Sequence, residues 1–336
     1  MNFNQTAERL YLIASWFVAL WYNKIPISSN NVKNILLIKL DDIGDMVYFT
    51  PLFQPLRRTY PNATITLLCK KQIHSLLQYE TDIDVIVSST KHIKTKAFDI
   101  IIDGRGSWQT LVWAMLKCNM LWLSKAAVRF KHRGELLHDA VINIKTVQPI
   151  CTTLSTAIQS NLKVNNTEVL FVDFDVLQPF VVLHLGGNSL LRRWQVNHFA
   201  AVVKYIYTQY NMPVAVVGIA AETPISIELQ RLCECRIFDL TGELSLAQCG
   251  ALLAKARLFI GNESGPLHIA AGVGCPTIGL FGPGVPFVFY PKDTHIFHFV
   301  LPCNPCNQRV CSQPNDWCMQ HISVASVTNC IDILLK

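Results

Sequence analysis

The chain of 336 residues is poor in charge and shows no internal repeat or low-complexity tract. Asp, Glu, Lys and Arg together make up only 15% of the residues, while apolar residues make up 51%. The absence of repeats and of long polar tracts excludes repeat arrays and disordered chains. The length is about twice that of a common single domain, so two domains with separate cores are predicted.

Acidic residues are missing from one long interval, residues 104–134, although the net charge of the chain is only +6. The cations of this interval are Arg105, Lys117, Lys125, Arg129, Lys131 and Arg133. A face of one sign suits an anionic partner. The interval also holds Trp108, Trp113 and Trp122, and tryptophans beside cations are typical of surfaces that meet anionic headgroups. The alternative is an amphipathic helix whose tryptophans fill the core.

The sequence shows no signal peptide and no apolar run near the N-terminus long enough to cross a bilayer, which takes about 20 residues. The run from Leu10 to Tyr22 is shorter, rich in aromatic residues and flanked by Arg9 and Lys24. These features favour a helix that lies in a membrane interface. A helix packed on the protein's own surface is the alternative. Residues 1–31 are therefore assigned to an N-terminal amphipathic segment.

Twelve cysteines without an export signal indicate reduced thiols. Four of them are closely spaced, in the pattern Cys303-x2-Cys306-x4-Cys311-x6-Cys318. Four thiolates are able to hold a structural metal ion, although these intervals differ from common zinc-finger patterns. A loop that is merely rich in cysteine, or a redox-sensitive pair, is the alternative.

Strand and helix patterns alternate in both halves of the chain. In the first half, strands are predicted over residues 34–40, 64–68, 85–88 and 99–103, with helices over 48–60 and 108–123. A linker region follows within residues 146–173. In the second half, strands are predicted over 180–185, 213–218, 237–240, 258–261 and 277–281, with helices over 197–210, 224–234, 245–256 and 268–273. This alternation predicts parallel sheets built from βαβ units.

Polar residues follow two of the predicted strands at glycine turns. The first strand runs into Asp41-Asp42-Ile43-Gly44-Asp45, and the strand over 258–261 runs into Asn262-Glu263-Ser264-Gly265-Pro266-Leu267-His268. In open parallel sheets, ligands bind at the carboxyl ends of strands, where helix N-termini offer unpaired N–H groups. Two such turns predict two Rossmann-like domains that face one cleft.

Taken in order, these segments resemble the glycosyltransferase family 9 heptosyltransferases, which build the inner core of bacterial lipopolysaccharide. The resemblance covers roughly residues 32–330. The matching segments are Ile43-Gly44-Asp45 with Thr50-Pro51-Leu52, Leu56 to Ala63, Leu183 to Gly187, Arg192-Arg193-Trp194, Gly218 to Glu222, Asp239 to Gly242 with Ser245-Leu246, Gly261 to His268, and Phe281-Gly282-Pro283. The implied architecture is the α/β GT-B fold, with two Rossmann-like parallel-sheet domains. Residues 32–165 would bind the acceptor, and residues 166–336, which include the cysteine-rich segment, the sugar nucleotide.

The resemblance implies that Asp45 is the general base of an inverting transfer and takes the proton of the acceptor hydroxyl. Helix capping is the alternative role for Asp45, because Asp is favoured at that position. Asp41 and Asp42 are candidates for capping or for binding acceptor hydroxyls. The predicted acceptor contacts are Asp42, Lys125, Arg129, Lys131 and Arg133.

The donor residues implied by the resemblance are His184, Gly186, Arg192, Arg193, Glu222, Glu263, Ser264, Gly265 and His268. Arg192 stands where the family has a phosphate-binding lysine, and Arg193 is the alternate candidate for that role. The other interpretation is that both arginines are a solvated surface pair. Glu222 resembles the acid that binds ribose hydroxyls, with helix capping as its alternative. His268 either binds the donor or is a buried, hydrogen-bonded histidine.

One position departs from the family pattern, because Glu263 replaces the usual aspartate. The extra methylene shifts the carboxylate by roughly 1.5 Å, which bears on the position and identity of the donor sugar. The diphosphate cradle is expected at the turn from Gly261 to His268, where Pro266 suits the first helical turn.

The resemblance implies an enzyme that moves a heptose from ADP-heptose to a phosphorylated lipid-linked saccharide, the inner core of lipopolysaccharide. No cofactor or metal ion is expected, since cations and helix N-termini stabilise the leaving diphosphate. The expected location is cytoplasmic, peripheral on the cytoplasmic face of the inner membrane, with no nucleic-acid partner. The alternatives are a GT-B enzyme that uses another nucleotide sugar, such as a UDP-sugar, on a cell-envelope glycan, and an inactive homologue.

Overall fold

The computed structural model describes residues 10–18, 31–93, 97–105, 107–151, 160, 162–165, 179–291, 293–304, 306, 310–313 and 316–336. The chain divides into two compact units, Met1–Ser160 and Asn161–Lys336. Leu162 already belongs to the second unit, because its N–H donates to the backbone oxygen of Gly272 at 2.8 Å. The boundary between the two units therefore lies a few residues before residue 165, where the sequence analysis places it. Most of the predicted linker lies outside the described residues.

The first unit contains one parallel sheet of five strands. Its elements are α1 (residues 10–18), β1 (Asn34–Lys39), α2 (Ile43–Val47), α3 (Phe53–Thr59), β2 (Thr64–Cys69), β3 (Val85–Val87), β4 (Phe98–Asp103), α4 (Trp108–Lys117), β5 (Cys118–Ser124), α5 (Lys125–Lys131) and α6 (Asp139–Val147). The strand order is β3-β2-β1-β4-β5, and all pairs are parallel. Strands β2 and β3 lie on one side of β1, and β4 and β5 lie on the other. The position between β1 and β4 is therefore a topological switch point.

The central strands are continuous apolar runs because both faces of the sheet are covered. Ile35, Leu36, Leu37 and Ile38 in β1 are fully buried, and the registers pair Ile35 with Ile65 of β2 and with Ile100 of β4. Runs of this kind are typical of parallel sheets between helix layers.

The predicted helix over residues 108–123 is wrong in its second half. Helix α4 ends at Lys117 and strand β5 begins at Cys118. Trp122 pairs in register with Ile101, and Leu123 with Ile102, so hydrogen bonding to β4 overrides the local helical pattern. Trp122 is fully buried and fills the core, whereas Trp108 is about half exposed. The predicted helix over 48–60 is also shorter, since α3 begins at Phe53.

The second unit contains a parallel sheet of six strands. Its elements are β6 (Val181–His184), α7 (Val196–Tyr210), β7 (Val214–Gly218), α8 (Thr223–Cys233), β8 (Ile237–Thr241), α9 (Leu246–Lys255), β9 (Leu258–Asn262), α10 (Gly265–Gly272), β10 (Thr277–Phe281), α11 (Pro286–Phe289), β11 (Thr294–His298) and α12 (Val324–Leu335). The order is β11-β10-β9-β6-β7-β8, again all parallel. The switch point lies between β6 and β9. The five strands predicted here are confirmed, whereas β11 and α12 are not in the prediction.

The core of the second unit joins helices from both ends of its sequence. Trp194, Phe199, Met319 and Ile331 are buried in one cluster, which brings α12 and the segment before it against α7. In the part of the chain that the structure describes, no helix has both the length and the apolar character needed to span a membrane.

Candidate active site

Lys39, the last residue of β1, is a buried cation at the switch point of the first unit. Its Nζ lies 2.7 Å from Oδ2 of Asp41, 3.1 Å from the backbone oxygen of Gly104 and 3.7 Å from Oδ1 of Asp45. The ammonium is 1% exposed, so these oxygens take the place of its water. Lys39 thus connects the end of β1, the turn after β4 and the predicted base. It is absent from the sequence-based site.

Asp45 lies in the first turn of α2, and Asp42 occupies the N-cap position. The capping alternative for Asp45 is therefore wrong, although the Asp42 side chain makes no capping hydrogen bond either. Burial raises the pKa of Asp45 above its ordinary value, Lys39 opposes this shift, and the negative charges of Asp139 and Asp41 add to it. A carboxylate of raised pKa is a better proton acceptor, which suits a general base.

The other two aspartates of this turn are held by cations. Asp41 lies between Lys39 and Arg105, whose NH1 is 3.0 Å from Oδ1 of Asp41. Asp42 is exposed and its Oδ1 accepts a hydrogen bond from Nζ of Lys70 at 2.6 Å. Asp41 is consequently engaged within the protein, and Asp42 remains accessible to a ligand.

The structure corrects the predicted cationic face at Lys125. This side chain is buried, and its Nζ lies 2.6 Å from Oδ2 of Asp139, whose Oδ1 accepts from Arg129 at 2.9 Å. Burial lowers the pKa of Lys125 to about 8, against the opposing effect of Asp139. Burial opposes ionisation of Asp139, but Lys125, Lys39 and Arg129 outweigh it and lower its pKa to about 2. Asp139 follows the acid-free interval in the sequence, and no local pattern connects it with Lys125.

The remaining cations of the predicted face are accessible. Arg129 is almost half exposed, and Lys131 and Arg133 are exposed. The Arg133 guanidinium lies over the Phe130 ring, 4.5 Å from its centroid.

His184 connects the ends of three strands in the second unit. It ends β6 and is buried, with Nε2 3.2 Å from Oε2 of Glu222 and Nδ1 2.8 Å from Oγ of Ser264. Because a carboxylate only accepts, Nε2 carries the proton directed to Glu222. His184 therefore holds the segments after β7 and β9 against the end of β6.

Two glycines make room for the Glu222 carboxylate. A Cβ on Gly186 would lie 1.6 Å from Oε1 of Glu222, and one on Gly218 would lie 2.5 Å from Oε2. Glu222 also accepts from the N–H of Ile219 at 3.0 Å. Burial opposes ionisation of Glu222, but the hydrogen bonds from His184 and Ile219 and the charge of Arg193 lower its pKa below the ordinary value. Glu222 is thus an ionised acceptor at the strand ends.

Arg192 and Arg193, which are adjacent in sequence, have different roles. NH1 of Arg192 lies 3.5 Å from Oε1 of Glu263, whereas Arg193 donates through Nε and NH2 to the backbone oxygen of Gly187. Arg193 therefore fixes the turn after β6, and Arg192 faces the acidic residue after β9. The structure distinguishes the two arginines that the sequence leaves as alternates.

Glu263 is a buried carboxylate with one unused oxygen. Its Oε2 has no hydrogen-bond partner among the described residues and lies against Gly284, where a Cβ would be 2.4 Å away. Burial raises the pKa of Glu263, and Arg192 opposes the shift. A buried acceptor without a partner is costly unless a ligand supplies a donor.

Asn262 is a scaffold residue that the sequence analysis missed. Its Nδ2 donates to the backbone oxygens of Leu185 and Gly186, and its Oδ1 accepts from the N–H of Trp194. These bonds tie the end of β9 to the turn after β6 and to the segment that carries Arg192. Its place directly before Glu263, at the end of an apolar strand, is the only local signal for it.

Helix α10 begins at the predicted phosphate turn. Ser264 is its N-cap residue, but the hydroxyl bonds to His184 and to the backbone oxygen of Asn262 rather than to the helix. Gly265 is the first helical residue, so the N-terminal N–H groups of α10 are oriented toward the site end of β9. His268 is buried within α10.

The four closely spaced cysteines are free thiols. No group of three or more His, Cys, Asp or Glu side chains in the described ranges is arranged to hold a metal ion. Cys303 and Cys318 both hydrogen-bond to Asn304, while parts of the intervening segment, residues 305, 307–309 and 314–315, lie outside the described residues. A structural metal held by these cysteines, a cysteine-rich loop and a redox-sensitive pair therefore stay open alternatives.

Two parallel-sheet α/β units, each with ionisable side chains at the carboxyl ends of the strands beside its switch point, are the components of a GT-B fold, in which many glycosyltransferases are built. The comparison with protein families agrees. The chain belongs to glycosyltransferase family 9 (heptosyltransferase), whose sequence model matches residues 86–316, more than half of the chain.

The chain is similar to lipopolysaccharide heptosyltransferase 3 of Escherichia coli K12, with 23% identity over 290 residues that cover 76% of this chain and 84% of that protein. Among solved structures, the fold is similar to a family 9 glycosyltransferase from Veillonella parvula, with a TM-score of 0.73, 20% identity and coverage of 90% of this chain and 97% of the other. It is also similar to the E. coli ADP-heptose lipopolysaccharide heptosyltransferase II, with a TM-score of 0.69, 18% identity and coverage of 90% and 98%. These structural similarities concern the fold.

Proposed function

We propose that the chain is an inverting heptosyltransferase that moves a heptose from ADP-heptose to the inner core of lipopolysaccharide. The substrates are those of the similar proteins, namely ADP-heptose and lipopolysaccharide. One observation in this chain carries the proposal. Glu263 is buried beside Arg192 with one carboxylate oxygen unpaired. A sugar hydroxyl would pair that oxygen, and the phosphate next to the sugar would meet Arg192.

The donor contacts follow from the second unit. Glu222 is ionised and accepts hydrogen bonds, as a residue that binds ribose hydroxyls requires. The diphosphate would lie at the N-terminus of α10, near Ser264 and Gly265, with Arg192 supplying a planar fork for its oxygens. His184, Gly186, Arg193 and His268 would support this site by holding the strand ends and the helix in place.

The transfer would proceed with Asp45 as the base. The acceptor oxygen attacks the anomeric carbon, its proton passes to Asp45, and the bond between that carbon and the diphosphate oxygen breaks. The electron pair of the broken bond leaves with ADP, whose added negative charge is stabilised by Arg192 and the helix N-terminus.

The acceptor contacts proposed here are Asp42, Arg129, Lys131 and Arg133. They are accessible side chains of the first unit, and the three cations suit a phosphorylated saccharide. Lys125 would act indirectly, because its buried ammonium holds Asp139, which in turn holds Arg129.

The base is tested with the Asp45→Ala variant. We expect a loss of turnover greater than about a hundredfold, or about 2.7 kcal/mol of transition-state stabilisation, while the dissociation constant for ADP stays within about twofold. Turnover is measured with donor and acceptor at saturation, and ADP binding by calorimetry. Asp42→Ala, on the same turn but exposed, is the control and should affect KM for the acceptor. More than a tenth of the parent turnover in Asp45→Ala would exclude the role of base.

The donor is tested by thermal shift with ADP, UDP, GDP and CMP. A ligand of the native state raises the melting temperature by mass action, so ADP should give the largest shift. A larger shift with UDP would favour transfer from a UDP-sugar. No shift with any nucleotide would favour an inactive homologue.

A further inference from the structure

Two neighbouring helices of the first unit expose large apolar side chains on one surface. Helix α1 packs beside α4, because the rings of Tyr11 and Trp108 are in edge contact with centroids 5.4 Å apart. Tyr11 is buried in the core, which anchors α1. The exposed side chains follow helical spacing on both helices; they are Leu10, Ile13, Phe17, Trp108, Val112, Met115 and Leu116, here called the apolar face. Leu116 is 78% and Phe17 60% exposed. Large apolar side chains exposed on two helices that pack together indicate an interaction surface.

A pocket of about 450 Å³ adjoins this surface between α1, α5 and α6. Its apolar wall includes Trp16, Leu123 and Val128, and its polar wall includes Lys131, His132 and Lys145. The volume is in the range of small-molecule sites. The ring of Trp16 contacts that of Phe17, with centroids 5.1 Å apart, so the pocket wall is continuous with the apolar face.

The charge of the pocket is of one sign. No Asp or Glu is among its lining residues. Lys131 and Lys145 form no ion pair within the described residues, and Lys145 is half-buried. Nδ1 of His132 lies 2.9 Å from Oε1 of Glu135, whose side chain is exposed and outside the lining. Two unpaired ammonium groups beside an indole suit a phosphate that is attached to an apolar group.

The surroundings also favour an anionic partner. The described residues of α1, together with α4 and α5, contain no acidic residue, while Lys117, Arg129 and Lys131 lie on α4 and α5. In a two-fold contact between copies of this chain, these cations would face each other without a carboxylate on the same helices to pair with them. An anionic bilayer supplies both an apolar interior and the opposite charge.

We propose that the apolar face and the adjoining pocket form a docking surface for an anionic phospholipid bilayer. The apolar face enters the interface between headgroups and acyl chains, and the pocket takes the phosphate of one lipid headgroup between Lys131 and Lys145. This proposal concerns lipid binding and does not depend on the transfer chemistry, although it would bring the enzyme to a lipid-linked acceptor. Lys131 is also a proposed acceptor contact, so Lys145 is the residue used to test the pocket.

The test is flotation of the purified chain with vesicles. One set contains only phosphatidylcholine, and the other contains equal parts of phosphatidylcholine and phosphatidylglycerol. We expect binding to the anionic set alone. The double variant Phe17→Ser with Leu116→Ser should raise the apparent dissociation constant about tenfold or more, since two large apolar side chains leave the interface. Lys145→Ser should weaken binding to the anionic vesicles and leave α1 and α4 in place.

The matched control is Ile227→Ser with Ile333→Ser, which removes two side chains of similar exposure from the second unit. It should bind vesicles like the parent. All variants change exposed or half-buried positions, and their melting temperatures and ADP-induced thermal shifts are measured in parallel, so that loss of folding or of the donor site is recognised separately.

Three results would overturn the proposal. The first is equal vesicle binding by the parent and the apolar-face double variant. The second is equal binding to neutral and anionic vesicles together with no effect of Lys145→Ser. The third is a dimer of the parent in size-exclusion chromatography that the apolar-face double variant converts to a monomer, which would identify the surface as a contact between copies.

Discussion

At the scale of single residues, the charge of Lys39 sets the environment of Asp45. Burial favours the neutral form of Asp45, and the ammonium 3.7 Å away favours the ionised form that a base requires. Lys39 therefore opposes the effect of burial on the pKa of Asp45, the proposed base, without itself being a proposed acceptor contact. The Lys39 ammonium also lies 2.7 Å from the carboxylate of Asp41, and Arg105 forms a second ion pair with Asp41.

Lys39→Met should move the acid limb of the pH profile of kcat/KM to higher pH. Asp45, as the proposed base, would act only when ionised. Its pKa is already raised, and removing Lys39 should raise it further. The measurement is kcat/KM as a function of pH for parent and variant, with a thermal melt to confirm folding. Lys70→Met is the control, because Lys70 pairs with the exposed Asp42 and should leave the limb in place. An unchanged limb in Lys39→Met would mean that another group titrates.

Gly186→Ala should weaken binding of ADP by about tenfold or more. The new Cβ would occupy the position of the Glu222 carboxylate, which must move and lose its bonds to His184 and Ile219. Gly187→Ala is the matched control, since its Cβ would meet no atom closer than 3.7 Å. Calorimetric titration with ADP compares the two. Equal affinities in both variants would show that Glu222 is not a donor contact.

At the scale of elements, the helices α5 and α6 are joined by a buried ion pair. Lys125 at the start of α5 meets Asp139 at the start of α6, and both side chains are almost completely buried. Removing one partner of such a pair leaves an uncompensated charge in the core, whereas replacing both by apolar groups is often tolerated. The pair therefore matters more for the arrangement of the two helices than as an independent source of stability.

Asp139→Asn should lower the free energy of unfolding by about 3–5 kcal/mol, and adding Lys125→Met should recover most of the loss. Urea unfolding of the single and double variants measures both effects. The pKa of Asp139 is lowered, so its contribution is complete above the ordinary value of 3.8 and is lost as the pH falls toward about 2. The parent should consequently lose more stability than Asp139→Asn over that interval. A double variant no more stable than Asp139→Asn would contradict the account of the pair.

Elements of the second unit were more predictable than those of the first. Its five predicted strands are confirmed because each is a short, mostly apolar run that ends at or near a small or polar residue, such as Gly218 or Asn262. The segment over residues 108–123 was predicted as one helix because its apolar residues fit helical spacing. Only pairing with β4 makes its second half a strand. Strand β11 and helix α12 were missed, since the half-buried strand has little apolar periodicity.

At the scale of the whole molecule, we expect metal ions to affect the stability of the protein rather than glycosyl transfer. The proposed transfer uses Arg192 and helix N-termini, so it should persist in excess chelator. Activity is measured with EDTA and with added Mg²⁺ or Mn²⁺, and a loss that either ion restores would contradict metal-independent transfer.

Metal analysis of the purified chain addresses the cysteines separately. Bound zinc or iron that is lost in Cys303→Ser, together with slow unfolding in chelator, would identify a structural site in the segment from Cys303 to Cys318. Cys249→Ser, a buried cysteine of α9, is the control and should retain any bound metal.

The sequence by itself determined the α/β alternation, the two strand-end turns and the acid-free interval. These are local patterns, in which neighbouring residues carry the information. The tertiary structure decided which charges meet: Lys39 with Asp45, Lys125 with Asp139, and His184 with Glu222 and Ser264. It also decided that Lys125 and Trp122 are buried while Phe17 and Leu116 are exposed. Lys39 and Asp45 are close in the chain, but the other contacts join residues 14 to 80 positions apart. Burial depends on which elements pack together, so it does not follow from a local pattern either.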